Sequence, residues 1–65
     1  MRIIVNGEER KTPAPTVARL LEEWSLLPSQ VAVEHNKVVL FRQELEKTTL
    51  RDGDRIEIIR VVAGG

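Results

Sequence analysis

The 65-residue chain contains no cysteine and no tyrosine, and tryptophan and phenylalanine occur once each. Without cysteine, a disulfide framework, a thiolate metal site and a cysteine nucleophile are all excluded. Ten basic and ten acidic side chains cancel, so we expect no basic surface for nucleic acid or anionic lipid. No apolar stretch approaches the roughly 18 residues of a membrane span, and the N-terminal one is too short for a signal peptide. We therefore expect a cytoplasmic protein without a bound cofactor or metal.

The length also restricts the architecture. A domain of this size buries only about 60% of the surface that its unfolded chain exposes, which leaves no room for an enclosed active site. Apolar residues make up 42% and charged residues 31% of the chain, as in ordinary globular domains rather than disordered ones. The sequence therefore predicts one small folded domain.

Turn and cap residues divide the chain into two hairpins around a helix. β-Branched residues at the N-terminus lead into Asn6-Gly7, a pair suited to the positive φ angles of a type I′ turn. Thr16 is placed as an N-cap, and an apolar stripe follows it at helical spacing, which predicts a helix to about residue 25. Its members are Val17, Leu20, Leu21 and Trp24. A second hairpin is predicted around Asn36-Lys37, between strands at residues 31–35 and 38–40.

The last strand completes the fold. Asp52-Gly53-Asp54 is turn chemistry, and the strand after it is predicted from residue 55 to about residue 62. A hairpin, a helix, a second hairpin and a final strand must bury one helix against one sheet. This order predicts the β-grasp (ubiquitin-like) fold, an α+β arrangement with a mixed sheet of four to five strands. The fold implies that the first and last strands are neighbours in the middle of the sheet, which the sequence alone does not give.

Apolar side chains on the last strand are candidates for a docking patch. By the period of two, Ile56 and Ile58 face the helix while Ile59 and Val61 face outward. Together with Phe41, the outward pair is predicted to dock partner proteins, because exposed apolar patches often mark interfaces. The alternatives are a bulge that rotates the strand and scattered surface residues without function.

Three other side chains receive more ordinary interpretations. Trp24 lies on the helical stripe and is predicted to belong to the core. His35 has no second ligand or nucleophile at useful spacing and is predicted to be a solvated hairpin residue. Arg60, near the end of the chain, is equally consistent with steering an acidic partner and with simple solvation.

The chain ends Val61-Val62-Ala63-Gly64-Gly65, so strand propensity stops where the side chains become minimal. Glycines let a backbone enter a slot too narrow for other residues, and an untethered pair is expected to be mobile. A terminal Gly-Gly by itself is a weak signal that more often marks a frayed end, but here it follows the last strand of a β-grasp pattern. We predict a folded domain over residues 1–62 and a functional tail over residues 63–65.

Four segments of the chain form a recognisable set: Val5-Asn6-Gly7-Glu8, Thr16-Val17-Ala18-Arg19-Leu20-Leu21-Glu22, Val31-Ala32-Val33-Glu34 followed by Asn36, and Asp52-Gly53-Asp54-Arg55-Ile56-Glu57-Ile58 before the terminal Gly64-Gly65. Together they extend over essentially the whole chain, and they resemble the ThiS family, the sulfur carriers of thiamine biosynthesis. The combination is far more specific than the Gly-Gly pair alone.

The resemblance implies that the carboxylate of Gly65, at the end of the Ala63-Gly64 tail, is the reactive group. An adenylyltransferase of the ubiquitin-activating type (ThiF-like) would adenylate it with ATP, and a sulfur donor such as a cysteine desulfurase would convert it to a thiocarboxylate. A carboxylate, with a pKa near 3.5, is a poor acyl donor, and adenylation supplies the leaving group that it lacks. Thiazole synthase (ThiG-like) would take the sulfur. The protein would then be a cosubstrate rather than an enzyme, with no catalytic residue of its own.

Three other functions stay open at this point. The small subunit of molybdopterin synthase shares the tail chemistry but passes sulfur to a pterin precursor. A ubiquitin-like protein modifier would join Gly65 to lysine amines. A plain β-grasp interaction module would use its sheet face and leave its terminus unused.

Overall fold

Residues 1–61 are described by the computed structural model, and they form a five-stranded sheet with one α-helix across one face. The strands are β1 (Arg2–Val5), β2 (Glu8–Lys11), β3 (Val31–His35), β4 (Val38–Leu40) and β5 (Arg55–Arg60), and the helix α1 is Val17–Glu23. Short 3₁₀ turns lie at Pro28–Gln30 and Arg42–Glu44. The predicted tail, Ala63, Gly64 and Gly65, lies outside the described residues, as does Val62.

The sheet has the strand order β2-β1-β5-β3-β4. β1 and β5 run parallel, with Ile4 opposite Arg55 and Val5 opposite Ile56. The pairs β1–β2, β3–β4 and β3–β5 are antiparallel. The predicted β-grasp fold is confirmed, including the adjacency of the first and last strands inside a mixed sheet.

The helix begins where the sequence predicts and ends two residues early. The Thr16 hydroxyl oxygen accepts a hydrogen bond from the Arg19 amide at 3.2 Å, which satisfies one of the free donors of the first turn. At the other end, the Leu26 amide donates to the Leu21 carbonyl at 2.8 Å, and Ser25 has a φ of 56°. This is a Schellman ending with serine in the left-handed position that glycine usually occupies. Because no glycine marks this position, the sequence pattern predicts a helix that ends two residues later than the observed one.

The core lies between α1 and the face of the sheet that it covers. Its buried apolar residues are Ile3, Val5, Ala14, Val17, Leu20, Leu21, Val33, Leu45, Leu50 and Ile56. Full burial of each large aliphatic side chain among them stabilises the fold by about 1.5 to 3 kcal/mol. Trp24 is half-buried and packs against this core, as predicted, and the Arg10 guanidinium lies 5.1 Å from the centre of its ring.

Within residues 1–61 we find no helix with the length and apolar character needed to cross a bilayer.

Candidate functional site

The end of β5 is the part of the described structure that leads to the predicted reactive terminus. On one side it pairs with β3 through consecutive partners, from His35 opposite Ile56 to Val31 opposite Arg60. One residue further, the Val61 amide donates a hydrogen bond of 2.8 Å to the Gln30 carbonyl. The main chain is therefore held as far as Val61, first by β3 and then by Gln30, the residue that precedes β3.

The outward phase of β5 is confirmed. Ile56 is fully buried, whereas Ile59 is 57% and Val61 is 49% exposed. The pairing with β3 continues without interruption across Ile58 and Ile59. A bulge that would rotate the strand is thereby excluded for this stretch, and two large apolar side chains do lie on the solvent face.

Phe41 extends this apolar surface across the sheet. It follows the Val33–Leu40 pair by one residue and has an extended backbone, with φ −80° and ψ 160°, so the alternation of β4 continues and assigns Phe41 to the outward face, which is also the face of Ala32. Ala32 in turn lies opposite Ile59. Ile59 of β5, Ala32 of β3 and Phe41, which directly follows β4, thus lie on one face and are here called the outer apolar row; Phe41 is 65% exposed. The structure brings the predicted patch residues onto one face, while their docking role stays a prediction.

On its other side β5 is held by Asn6, which the sequence indicated only as a turn residue. Asn6 has a φ of 50°, and its backbone amide donates to the Ile56 carbonyl at 2.9 Å. Its side-chain Oδ1 accepts from the Ile58 amide at 2.9 Å, and Nδ2 donates to the Ile58 carbonyl at 3.1 Å. One asparagine therefore binds β5 at Ile56 and Ile58, two alternate residues whose main-chain groups face the same edge.

A second polar cluster holds the beginning of β5. The Asp54 carboxylate accepts hydrogen bonds from His35 Nε2 at 2.8 Å, from the Arg51 amide at 2.9 Å and from Asn36 Nδ2 at 3.2 Å. Since a carboxylate only accepts, His35 carries a proton on Nε2. The His35 side chain is 20% exposed, so its prediction as a solvated hairpin residue is wrong. The reason is that the turn before β5 delivers Asp54 beside it, a contact across 19 positions that no local pattern shows.

The environment of Asp54 shifts its acidity. Burial alone raises the pKa of this carboxyl group, but the hydrogen bonds from His35, from the Arg51 amide and from Asn36 outweigh burial. The pKa of Asp54 is therefore held below its ordinary value. The cluster favours the ionised carboxylate and ties β3, the β3–β4 turn and the start of β5 together.

A groove opens on the helix side of the sheet, beside the end of β5. It has a volume of about 410 Å³, with Trp24, Leu26, Val31 and Ile58 among its apolar lining residues. Arg60 lines this groove together with Arg10, so its charge faces away from the outer apolar row. A steering role for Arg60 stays a prediction. Among residues 1–61, no group of three or more His, Cys, Asp or Glu side chains is placed to hold a metal ion.

A family model, a curated relative and a solved structure all relate the chain to ThiS proteins. The chain matches the model of the ThiS family over residues 3–65. It is 34% identical to the sulfur carrier protein ThiS of Thermus thermophilus over 61 residues, which cover 94% of this chain and 95% of that protein. The crystal structure of a thiamine biosynthesis protein (ThiS) from Geobacter metallireducens superposes over the whole of both chains with a TM-score of 0.83 at 33% identity.

Two longer proteins are also similar. A thiazole synthase of Paramagnetospirillum magneticum is 36% identical over 66 residues, and one of Magnetococcus marinus gives the same identity over the same length. Both matches cover 100% of this chain but 20% of the synthase. The chain thus spans about a fifth of the length of the thiazole synthases that it matches.

Proposed function

The chain belongs to the ThiS family, and from this we propose that it is a sulfur carrier of thiamine biosynthesis whose reactive group is the carboxylate of Gly65. The observation that carries the proposal is the family match, which continues through residue 65 and so includes the Gly64-Gly65 pair. Similarity to a sulfur carrier over nearly the full length of both chains supports it. The molecule acts as a cosubstrate that presents its terminus to other enzymes.

The cycle begins with activation. A ThiF-like adenylyltransferase joins the Gly65 carboxylate to the α-phosphate of ATP and releases pyrophosphate. The acyl adenylate that forms has AMP as its leaving group, which the free carboxylate lacks. A persulfide sulfur of a cysteine desulfurase then displaces AMP, and a thiol cleaves the resulting S–S bond to leave a thiocarboxylate. We place these ATP-dependent steps in the cytoplasm.

Thiazole synthase is the proposed acceptor of the sulfur. Two proteins named thiazole synthase contain, within 20% of their length, a stretch 36% identical to this entire chain. That similarity supports a working relationship between a carrier of this type and a ThiG-like synthase. It also favours the thiamine branch over transfer of sulfur to a pterin precursor.

The outer apolar row and Val61 form the proposed docking surface for the adenylyltransferase and for thiazole synthase. Phe41, Ile59 and Val61 are about half or more exposed, and apolar patches of this kind on small proteins mark interfaces. Ile59 lies on β5 and Val61 directly follows it, so a partner that covers these two side chains is also close to the start of the tail.

The proposal is tested by incubating the protein with ATP, a ThiF-like adenylyltransferase, a cysteine desulfurase, cysteine and a thiol, followed by intact mass measurement. We expect exchange of one oxygen for sulfur at the C-terminus. Deletion of Gly65 should abolish the exchange and leave the circular dichroism spectrum unchanged, because chain ends tolerate truncation where other residues build the core. A wild-type chain that forms neither adenylate nor thiocarboxylate would contradict the proposal.

Two additions to this assay separate the alternatives. The thiocarboxylate form is offered to thiazole synthase and, in parallel, to the large subunit of molybdopterin synthase, and sulfur transfer should occur with the first. Conjugates between Gly65 and lysine amines would instead indicate a protein modifier.

The docking role is tested with Ile59→Arg against a matched control on the other face. Val38 is also apolar and 61% exposed, but it lies opposite His35 on the helix side of the sheet. Ile59→Arg should lower kcat/KM of adenylation about tenfold, equivalent to ~1.4 kcal/mol of binding, whereas Val38→Arg should leave it within about twofold. Equal losses of kcat/KM in the two variants would contradict a docking role for the outer apolar row.

A further inference from the structure

β5 is longer than its neighbour on one side. Its pairing with β3 extends to Arg60, but its pairing with β1 ends at Val5 opposite Ile56. β1 stops there because the chain turns at Asn6-Gly7, with φ values of 50° and 84°. Without a substitute, the amide and carbonyl of Ile58 on that edge would have no strand to pair with.

The Asn6 side chain supplies the missing partner. A side-chain amide has the same acceptor and donor pair as a peptide group, and both are used on one residue. Oδ1 accepts from the Ile58 amide at 2.9 Å, and Nδ2 donates to the Ile58 carbonyl at 3.1 Å. Together with the bond from the Asn6 backbone amide to Ile56, at 2.9 Å, the parallel ladder is prolonged by one step beyond the end of β1.

This step lies directly before the residues that matter for the proposed function. Ile59 of the outer apolar row follows Ile58 immediately, and Val61 lies two residues after Ile59. With Asn6 in place, this stretch is held on both edges, by Asn6 on one and by Ala32 and Val33 of β3 on the other. Without it, the strand end would hinge on β3 alone.

We infer that Asn6 is a positioning residue for the chemistry at Gly65: its side-chain amide fixes the direction in which β5 delivers the terminus to the activating enzyme. The inference rests on the proposed function. Ile59 and Val61 follow within three residues, or at most about 10 Å of chain, so a change in strand direction at Ile58 displaces the docking side chains and the point from which the tail starts. Small misplacements of a reacting group carry large rate penalties, about 100-fold for 1 Å in well-oriented sites.

Asn36 provides a matched control within the same chain. It occupies the same turn position in the other hairpin, with a φ of 49°, and it also bonds to β5 through its backbone amide and its side-chain oxygen. Its backbone amide donates to the Arg55 carbonyl at 2.8 Å, and its Oδ1 accepts from the Arg55 amide at 2.9 Å. The main difference is location, because Arg55 begins β5 whereas Ile58 lies near its end; in addition, the Asn36 Nδ2 donates to the Asp54 carboxylate at 3.2 Å rather than to a carbonyl of β5.

The experiment compares Asn6→Gly with Asn36→Gly, since glycine accepts the positive φ at both sites and removes only the side-chain bonds. Amide hydrogen exchange by NMR should accelerate at Ile58 in the first variant and at Arg55 in the second. In the adenylation assay, at a temperature where both variants are folded, Asn6→Gly should lower kcat/KM about tenfold. Asn36→Gly should stay within about twofold. Asn6→Asp should also lower kcat/KM, because it keeps the acceptor for the Ile58 amide but turns a carboxylate oxygen, which cannot donate, toward the Ile58 carbonyl.

The outcomes separate this inference from the proposed function. Equal losses of activity in the two glycine variants, or wild-type activity in Asn6→Gly, would overturn the positioning role while sulfur acceptance by the wild type stands. A wild-type protein that accepts no sulfur would overturn the proposed function and the positioning role with it.

Discussion

The two hairpins of this molecule share a plan and differ in what they attach. Each has a two-residue turn that begins with asparagine, at φ values of 50° and 49°, and each asparagine bonds to the main chain of β5 through both its backbone and its side chain. The β1–β2 hairpin holds β5 near its end, and the β3–β4 hairpin holds it at its beginning. One residue type, in one conformation, therefore serves as a strand clamp on either flank of β5.

The outer strands of the hairpins differ sharply. β2 consists of four exposed charged residues, Glu8, Glu9, Arg10 and Lys11, which protect an open strand edge from pairing with other chains. β4 carries Val38 and Val39, which are 61% and 57% exposed, and leads into Phe41. The first edge is closed to partners by charge, whereas the second is apolar and continuous with the outer apolar row.

The turn before β5 also serves the hairpins unequally. Asp52 is exposed and accepts one hydrogen bond, from the Arg2 amide of the first hairpin at 2.7 Å. Asp54 is buried and accepts three, two of them from His35 and Asn36 of the second hairpin. Asp52 thus bonds to the first hairpin and Asp54 to the second. Loss of the buried Asp54 carboxylate is expected to lower the free energy of unfolding more than loss of Asp52.

The largest expected effect comes from breaking this asymmetry at Asp54. Asp54→Asn should lower the free energy of unfolding by about 2 to 3 kcal/mol at neutral pH, because donors from three groups lose a charged acceptor. Asp52→Asn, the matched change in the same turn, should cost much less because its partner remains exposed to water. Urea denaturation measures both. Similar losses in the two variants would show that the hairpins depend equally on this turn.

Acid should reveal the same difference. The folded-state pKa of Asp54 lies below its ordinary value, so its contribution is fully present above an unfolded-state pKa of about 3.9 and is lost as the pH falls through the lower folded value. The gap in unfolding free energy between wild type and Asp54→Asn should therefore narrow on acidification below about pH 4. Chemical denaturation at a series of pH values tests this, and a gap that widens in acid would contradict it.

A smaller effect is expected at the second turn position, where the hairpins carry Gly7 and Lys37. Gly7 has a φ of 84° with open space where a Cβ would stand, so Gly7→Ala should cost about 1 to 2 kcal/mol from backbone conformation alone. Lys37 already occupies a φ of 71°. Lys37→Gly should therefore stabilise the fold, by about 1 kcal/mol or less because glycine also gains entropy in the unfolded chain. Thermal unfolding of the two variants should move in opposite directions.

The smallest effect on stability is expected at the edges. Val39→Lys should change the free energy of unfolding by no more than about 0.5 kcal/mol, because the side chain is on the surface. It should nevertheless slow aggregation on heating, since it places charge on the apolar edge. Glu9→Val, the reverse change on β2, should speed aggregation. Light scattering at equal concentrations decides, and equal rates in all three proteins would contradict the distinction between the edges.

Much of the architecture is predictable from the sequence because its signals are local. Asn6-Gly7 and Thr16 each specify a structure within a few residues, and the apolar stripe after Thr16 identifies the buried face of α1. The parallel pairing of β1 with β5 is not of this kind. It joins groups about 50 positions apart, as the bond from the Arg2 amide to Asp52 illustrates, and it was expected only from knowledge of the fold.

The sequence predicts which side chains of β5 face outward, but it does not predict the hydrogen bonds that hold the strand in place. Alternation along β5 correctly placed Ile59 outward. His35 was misjudged because its partner Asp54 is delivered by another part of the chain, and hydrogen bonds carry no periodic signature. Asn6 was identified as a turn former, but its second role depends on how far β5 extends past β1, which only the assembled sheet shows.

The place of β5 in the strand order has a consequence for how the protein is made. It is the last of the described strands in the chain and the central one in the sheet, so the two hairpins cannot join into one sheet until it has been synthesised and inserted between them. Contacts of such long sequence separation slow folding relative to local ones. The outer apolar row also forms only at that moment, because Ile59 is one of its members. An activating enzyme that binds this row would thus select finished molecules over partly folded ones.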